Sequence, residues 1–106
     1  MSKNDYAYVD GVGLFQTRES AMIYDYILNN HQDGATPALE WTRLRDAMFG
    51  ELAFMDHDDY VLFEIEILRP VLKEIHKRTG EKVRIEDCGH GSEGDEQIRF
   101  VRHIED

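Results

Sequence analysis

ILRPVLKEIHKRTG, residues 67 to 80, ends in a glycine and passes into KVRIEDC at 82 to 88, a glycine-rich turn, and IRFVRHI at 98 to 104. The first run spaces its apolar residues three and four apart, which is the period of a helix face, and Thr79-Gly80 supplies a stop. In the later runs Val83 and Ile85 alternate with Lys82, Arg84 and Glu86, and Ile98, Phe100 and Ile104 alternate on the return. That is the period of strands with one buried face. Residues 89 to 94, Gly-His-Gly-Ser-Glu-Gly, read as a mobile tip between the strands. A helix followed by an antiparallel ribbon is therefore expected.

Upstream, Asp56-His57-Asp58-Asp59 is a cluster of N-cap residues from which this helix would start. Val61, Ile65, Leu68, Leu72 and Ile75 then follow at four, three, four and three, one continuous buried stripe if the helix is regular. Pro70 intrudes: inside a helix it removes a backbone hydrogen bond and costs about 3 kcal/mol or more. A kink is expected there, or a new helix with Pro70 as its first residue. Tyr60, Phe63, Ile67 and Val71 form a second apolar stripe, and a helix apolar on two sides must bury both. The second stripe either lies under the N-terminal segment or meets a symmetry mate, and a two-fold dimer is the preferred reading.

Toward the N-terminus, Tyr6 to Phe15 alternates weakly around Asp10-Gly11 and Gly13, the signature of a short strand or turn. Met22, Ile23, Tyr26 and Ile27 place a helix over residues 18 to 30, with Thr17 as N-cap and Glu19 in the first turn. Residues 35 to 41 are ambiguous. Thr36-Pro37 can open a helix, or 38 to 41 can be a short strand with Thr42 capping a helix from Arg43 to Phe49 that buries Leu44, Ala47 and Met48. The strand is preferred, with Gly50 closing the second helix.

The chain has 106 residues, 42% of them apolar, enough for one domain with a single core. No apolar run approaches the roughly 20 residues that span a bilayer, and MSKNDYAYVD lacks the apolar centre of a signal peptide. A soluble, cytoplasmic protein is expected, and a single cysteine, Cys88, fits a reducing compartment. Twelve basic against 22 acidic side chains give a net charge of −10, the wrong sign for a domain whose whole surface coats phosphates.

With these segments in place, residues 20 to 104 resemble the N-terminal winged-helix domain of plasmid replication initiator proteins. The resemblance lies in AMIYDYILNN (21 to 30), WTRLRDAMFG (41 to 50), ILRPVLKEIHKRTG and the glycine-tipped hairpin ending in IRFVRHI, with LRPVLKEIHKRT the most specific part. It implies an α+β winged helix of three helices, a short strand before the second and a C-terminal hairpin wing. It also implies a role in dimerisation and in contact with origin DNA, shared in that family with a second winged-helix domain that this sequence lacks.

Carried over residue by residue, phosphate contact falls to Arg69, Lys73, Lys77 and Arg78 on the helix and to Arg84 and Arg99 on the hairpin. Residues 69 to 78 hold those four bases against one acid, Glu74. The chain departs from the family just before. Residues 51 to 66 contain Glu51, Asp56, Asp58, Asp59, Glu64 and Glu66 and no Lys or Arg, and carboxylates there repel a phosphate backbone. Two functions follow. One is a module that binds duplex DNA or pairs with itself. The other is an acidic decoy of a phage or mobile element that occupies a basic groove on a host defence or replication protein. Its contact residues would be Asp56, Asp58, Asp59, Glu64 and Glu66 with Glu93, Asp95 and Glu96 on the wing. The initiator-like reading is the first choice.

Catalysis is not expected. Cys88, His90 and His103 lack a zinc-ligand spacing, and the three aspartates around His57 are better explained by capping than by a metal. No phosphate-binding glycine loop or nucleophile elbow is present, so no cofactor, metal or small-molecule substrate is assigned. Trp41 and Tyr26 read as core residues.

Overall fold

The computed structural model describes residues 7 to 91 and 94 to 103. The fold is α+β, with three helical stretches and two small antiparallel sheets. A minimal hairpin, β1 (Tyr8–Val9) and β2 (Gly13–Leu14), turns through Asp10-Gly11 and leads into α1 (Arg18–Asn30). Then come β3 (Leu39–Glu40), α2 (Trp41–Phe49), a 3₁₀ turn (Ala53–Met55) and the long helix. That helix is built from α3 (Tyr60–Phe63), a π segment (Glu64–Leu68) and α4 (Arg69–Thr79) without a gap. Strands β4 (Lys82–His90) and β5 (Glu96–His103) close the chain. Among the described residues no helix is long and apolar enough to cross a membrane.

The ends of the elements follow local chemistry. Thr17 accepts the Ser20 amide at the start of α1, and Asp59 accepts the Val61 and Leu62 amides at the start of α3. Gly80 ends α4 at φ +79°, a left-handed conformation that a side chain would strain. Sheet order is β3-β5-β4, with β5 in the middle. On one side β5 runs in register with β4 from Lys82↔His103 to Asp87↔Ile98. Its other side is met by β3, Leu39 opposite Ile98, and by Thr36, whose amide donates to the Phe100 carbonyl and whose hydroxyl accepts the Phe100 amide, both at 2.9 Å.

Several expectations are corrected. Helix α2 begins at Trp41, directly after β3, so Thr42 is not its cap; Thr42 instead donates to Asp95 at 3.0 Å. Its inward face is Trp41, Leu44, Arg45 and Met48, while Ala47 is exposed. The cause is aromatic packing: Trp41 lies 5.7 Å from the Tyr60 ring and 5.4 Å from Phe63, with the Arg45 guanidinium 5.1 Å from its own centroid. The hairpin is paired almost to its tip, since His90 still pairs with Glu96 and the Gly91 amide donates to the Asp95 carbonyl. Residues 92, 93 and 104 lie outside the described residues.

The largest correction concerns the long helix. Val61 and Ile65, expected inside, are 59% and 47% exposed, whereas Phe63 is 1% exposed. The inward set is Phe63, Leu68, Val71 and Ile75, spaced five, three and four apart. The π segment accounts for the five: one extra residue per turn shifts the phase of everything before it. It lies just ahead of Pro70, and Arg69 donates to the carbonyl five residues back, at Glu64. This wider turn is how the helix carries a proline without breaking.

That phase shift puts Phe63 rather than Val61 and Ile65 on the face that continues into Leu68 and Ile75. Phe63 and Val71 belong to the core with Ile23, Ile27, Leu68, Ile75, Ile98 and Phe100, and Tyr60 and Ile67 pack against it half-buried. Tyr60, Phe63, Ile67 and Val71 therefore do not form an exposed dimer face. Val9, Phe15 and Tyr24 complete the core beside α1, so the N-terminal hairpin packs on that helix.

Candidate interaction surfaces

Of the six bases expected to meet phosphate, three are held by the chain's own carboxylates. Glu86 on β4 sits opposite Arg99 on β5 and two residues from Arg84 on the same strand face. It binds Arg99 at 2.6 Å and Arg84 at 2.8 Å. Those hydrogen bonds, Arg99's first, hold the Glu86 carboxyl below the ordinary glutamate value. Arg69 pairs with Glu64 at 3.2 Å, five residues away, a neighbour relation that the π turn creates. Lys73, Lys77 and Arg78 are exposed and make no ion pair among the described residues.

Glu74, in the middle of that stripe, is engaged by the start of the first helix. Its carboxylate accepts from the Gln16 amide, from Thr17 Oγ1 at 3.2 Å and from Ser20 Oγ at 2.7 Å, so it caps α1 from across the fold. An open cleft of about 160 Å³ lined by Leu14, Gln16, Glu74, Lys77 and Arg78 lies beside it.

The acidic residues gather differently. Asp56, Asp58, Asp59 and Glu66 are exposed, Asp59 doing double duty as a cap. Glu64, Glu96 and Asp87 lie around the Tyr60 hydroxyl; burial first and then these carboxylates push it well above the ordinary tyrosine value. Glu64 of the long helix and Asp87 and Glu96 of the hairpin thus lie near the same tyrosine. Asp95 is half-buried and holds Thr42, and Glu93 lies outside the described residues.

Beside the acidic side chains lies apolar surface. Leu52, Phe54, Met55, Val61, Leu62 and Ile65 are all exposed. The loop between them is held in place: the Arg45 guanidinium donates to the His57 carbonyl at 2.9 Å, and the His57 ring lies 5.0 Å from Phe49 and 6.0 Å from Phe63. This explains His57, which the sequence left beside three aspartates without a role. Among the described residues no group of three or more His, Cys, Asp or Glu is placed to hold a metal ion. His103 pairs with Lys82 at the base of the ribbon, far along it from Cys88 and His90 near the tip.

One polar network escaped the sequence reading. Glu81, 5% exposed, accepts from Tyr24 Oη at 2.8 Å and from Arg102 through Nε at 2.5 Å and Nη2 at 2.9 Å. Arg102 Nη1 also lies 2.8 Å from His31 Nε2. Burial raises the Glu81 carboxyl, but the hydrogen bonds from Arg102 and Tyr24 outweigh it and keep the group below its ordinary value. The four residues join α1, its C-terminal cap, the α4–β4 junction and β5. Tyr24 and Arg102 stand 57 and 21 residues from Glu81 in the sequence, and no local pattern announces such a contact.

No protein-family model matches this chain, and neither curated proteins nor solved structures contain a significant match to it.

Proposed function

We propose that the chain is a winged-helix module that acts by binding rather than by catalysis, and that its partner is a basic protein. The winged-helix reading is supported by element order and by the sheet order β3-β5-β4, in which the short strand before α2 pairs with the second strand of the hairpin. The resemblance to plasmid initiators remains a proposal resting on the segments quoted above.

The choice of partner rests on one observation: Arg84, Arg99 and Arg69, three of the six bases expected to meet phosphate, are engaged by Glu86 and Glu64, while Asp56, Asp58, Asp59 and Glu66 stand exposed. A phosphate would have to compete with Glu86 for both hairpin arginines and would meet uncompensated carboxylates at the helix start. A second reading keeps duplex DNA as the partner, through exposed Lys73, Lys77 and Arg78.

Duplex binding measured against salt separates the two. Protein recognition predicts no duplex binding even at about 50 mM salt, whereas contact through three phosphates predicts binding that weakens steeply as salt rises. Capture of a host protein that persists after nuclease treatment supports the first reading. Capture that nuclease abolishes refutes it.

A further inference from the structure

We propose that Leu52, Phe54, Met55, Val61, Leu62 and Ile65 form a docking surface for an amphipathic helix of a partner protein, one whose apolar side is flanked by Lys or Arg. This rests on the protein-binding reading and gives it a location and a chemistry.

The apolar component is large and local. Met55 is 70% exposed, Leu52 68%, Leu62 54% and Phe54 52%, alongside Val61 and Ile65. Single exposed apolar residues are ordinary on any protein; six within residues 52 to 65 are not. Two consecutive elements supply them, the Ala53–Met55 turn and the start of the long helix, with residues 56 to 59 between. The helix phase is what turns Val61 and Ile65 outward. In an uninterrupted α-helix Val61 and Ile65 would share the inward face of Leu68, and the π segment faces them to solvent while putting Phe63 inside. Asp59 fixes the first turn through the Val61 and Leu62 amides, and Arg45 fixes the preceding loop through the His57 carbonyl. The surface is thus organised before any partner arrives, which lowers the entropic cost of binding.

The charge around it selects the occupant. Residues 51 to 66 carry six acids and neither Lys nor Arg, and all of the acids but Glu64, which pairs with Arg69, stand exposed. A two-fold pairing of two copies would set this patch against itself and bring like-charged rims together. Nucleic acid offers phosphates where the rim is already negative. The complement is an apolar strip with basic edges. Val61, Leu62 and Ile65 form a ridge on a helix, and a second helix packs its own ridge alongside it.

The test uses the full chain and a synthetic amphipathic peptide with Leu and Phe on one helical face and Lys along both flanks. A shuffled peptide of the same composition is the control. Fluorescence anisotropy is read for the wild type, for Met55→Ser/Val61→Ser/Leu62→Ser, and for Asp56→Asn/Asp58→Asn/Glu66→Gln. The altered side chains are exposed in both variants, and near-ultraviolet circular dichroism checks that each remains folded. The wild type is expected to bind the ordered peptide and discriminate against the shuffled one. The serine variant should weaken binding by at least about tenfold, and the neutralised variant should weaken it and flatten its salt dependence. Equal binding by the wild type and the serine variant, or of the ordered and shuffled peptides, overturns the proposal. So does a wild-type dimer in sedimentation that the serine variant makes monomeric, which would assign the patch to a second copy. Loss confined to the neutralised variant overturns the apolar site but leaves protein binding intact. Duplex binding with no peptide binding overturns both.

Discussion

Arg102→Met is the most exposing test of how this fold is held together. The Arg102 side chain is 15% exposed and that of Glu81 5%, and three donors, Tyr24 Oη and Arg102 Nε and Nη2, converge on one carboxylate. Methionine preserves much of the arginine stem's packing but leaves Glu81 as a buried charge with the tyrosine alone. Breaking a buried pair costs about 3–5 kcal/mol, and the partial exposure of Arg102 places the expectation near the lower figure. At about 4–8 °C per kcal/mol for a domain of this size, Tm should fall by roughly 12–24 °C. Total stability in such domains is about 5–15 kcal/mol, so the variant should remain folded but marginal. Urea denaturation gives the free energy, and an unchanged slope certifies that the native state, rather than the denatured ensemble, was altered. Adding Glu81→Gln removes the stranded charge while keeping an acceptor for Tyr24, so the double variant should lose only about 1–2 kcal/mol. A loss below about 1 kcal/mol for Arg102→Met, or a double variant no more stable than the single one, would refute the argument that charge burial sets the cost.

The same network predicts a pH dependence. Because the folded state holds Glu81 below the ordinary value, the unfolded chain binds more protons in the interval between, so this stabilisation is complete above about pH 5 and is lost as pH falls through the folded value. Denaturation midpoints taken from pH 6 downward should decline less steeply for Glu81→Gln than for the wild type, and equal slopes would count against it. Deleting Glu66 tests the π turn: Phe63 and Leu68 would then stand four apart on one face of a regular helix, but Pro70 would lose the wider turn that accommodates it, so the variant should still unfold cooperatively while losing about 3 kcal/mol. Loss of a cooperative transition would mean that the extra residue is required rather than accommodated. Thr36→Val should cost about 1–3 kcal/mol, because it strands the buried Phe100 amide that the Thr36 hydroxyl accepts, and thermal unfolding would read it.

Where local chemistry decides, the sequence was readable. The Thr17 and Asp59 caps, the Gly80 stop and the alternation of Ile98 and Phe100 each depend on residues within a few positions, and each stands in the fold as its spacing implies. The concentration of acid in residues 51 to 66 was equally plain. Tertiary contact decided the rest. Strict three-and-four spacing put Val61 and Ile65 inside, because a helix with apolar residues in two phases does not say which phase the core takes. Pro70 and the π turn settled it in favour of Phe63. Trp41 began α2 early because Tyr60 and Phe63 were there to meet it. The hairpin arginines were visible as charges, but only strand register brought Glu86 between them. Periodicity and capping are short-range properties written in adjacent residues, whereas helix phase, charge neutralisation and the Glu81–Arg102 tie depend on what the folded chain brings together across tens of residues.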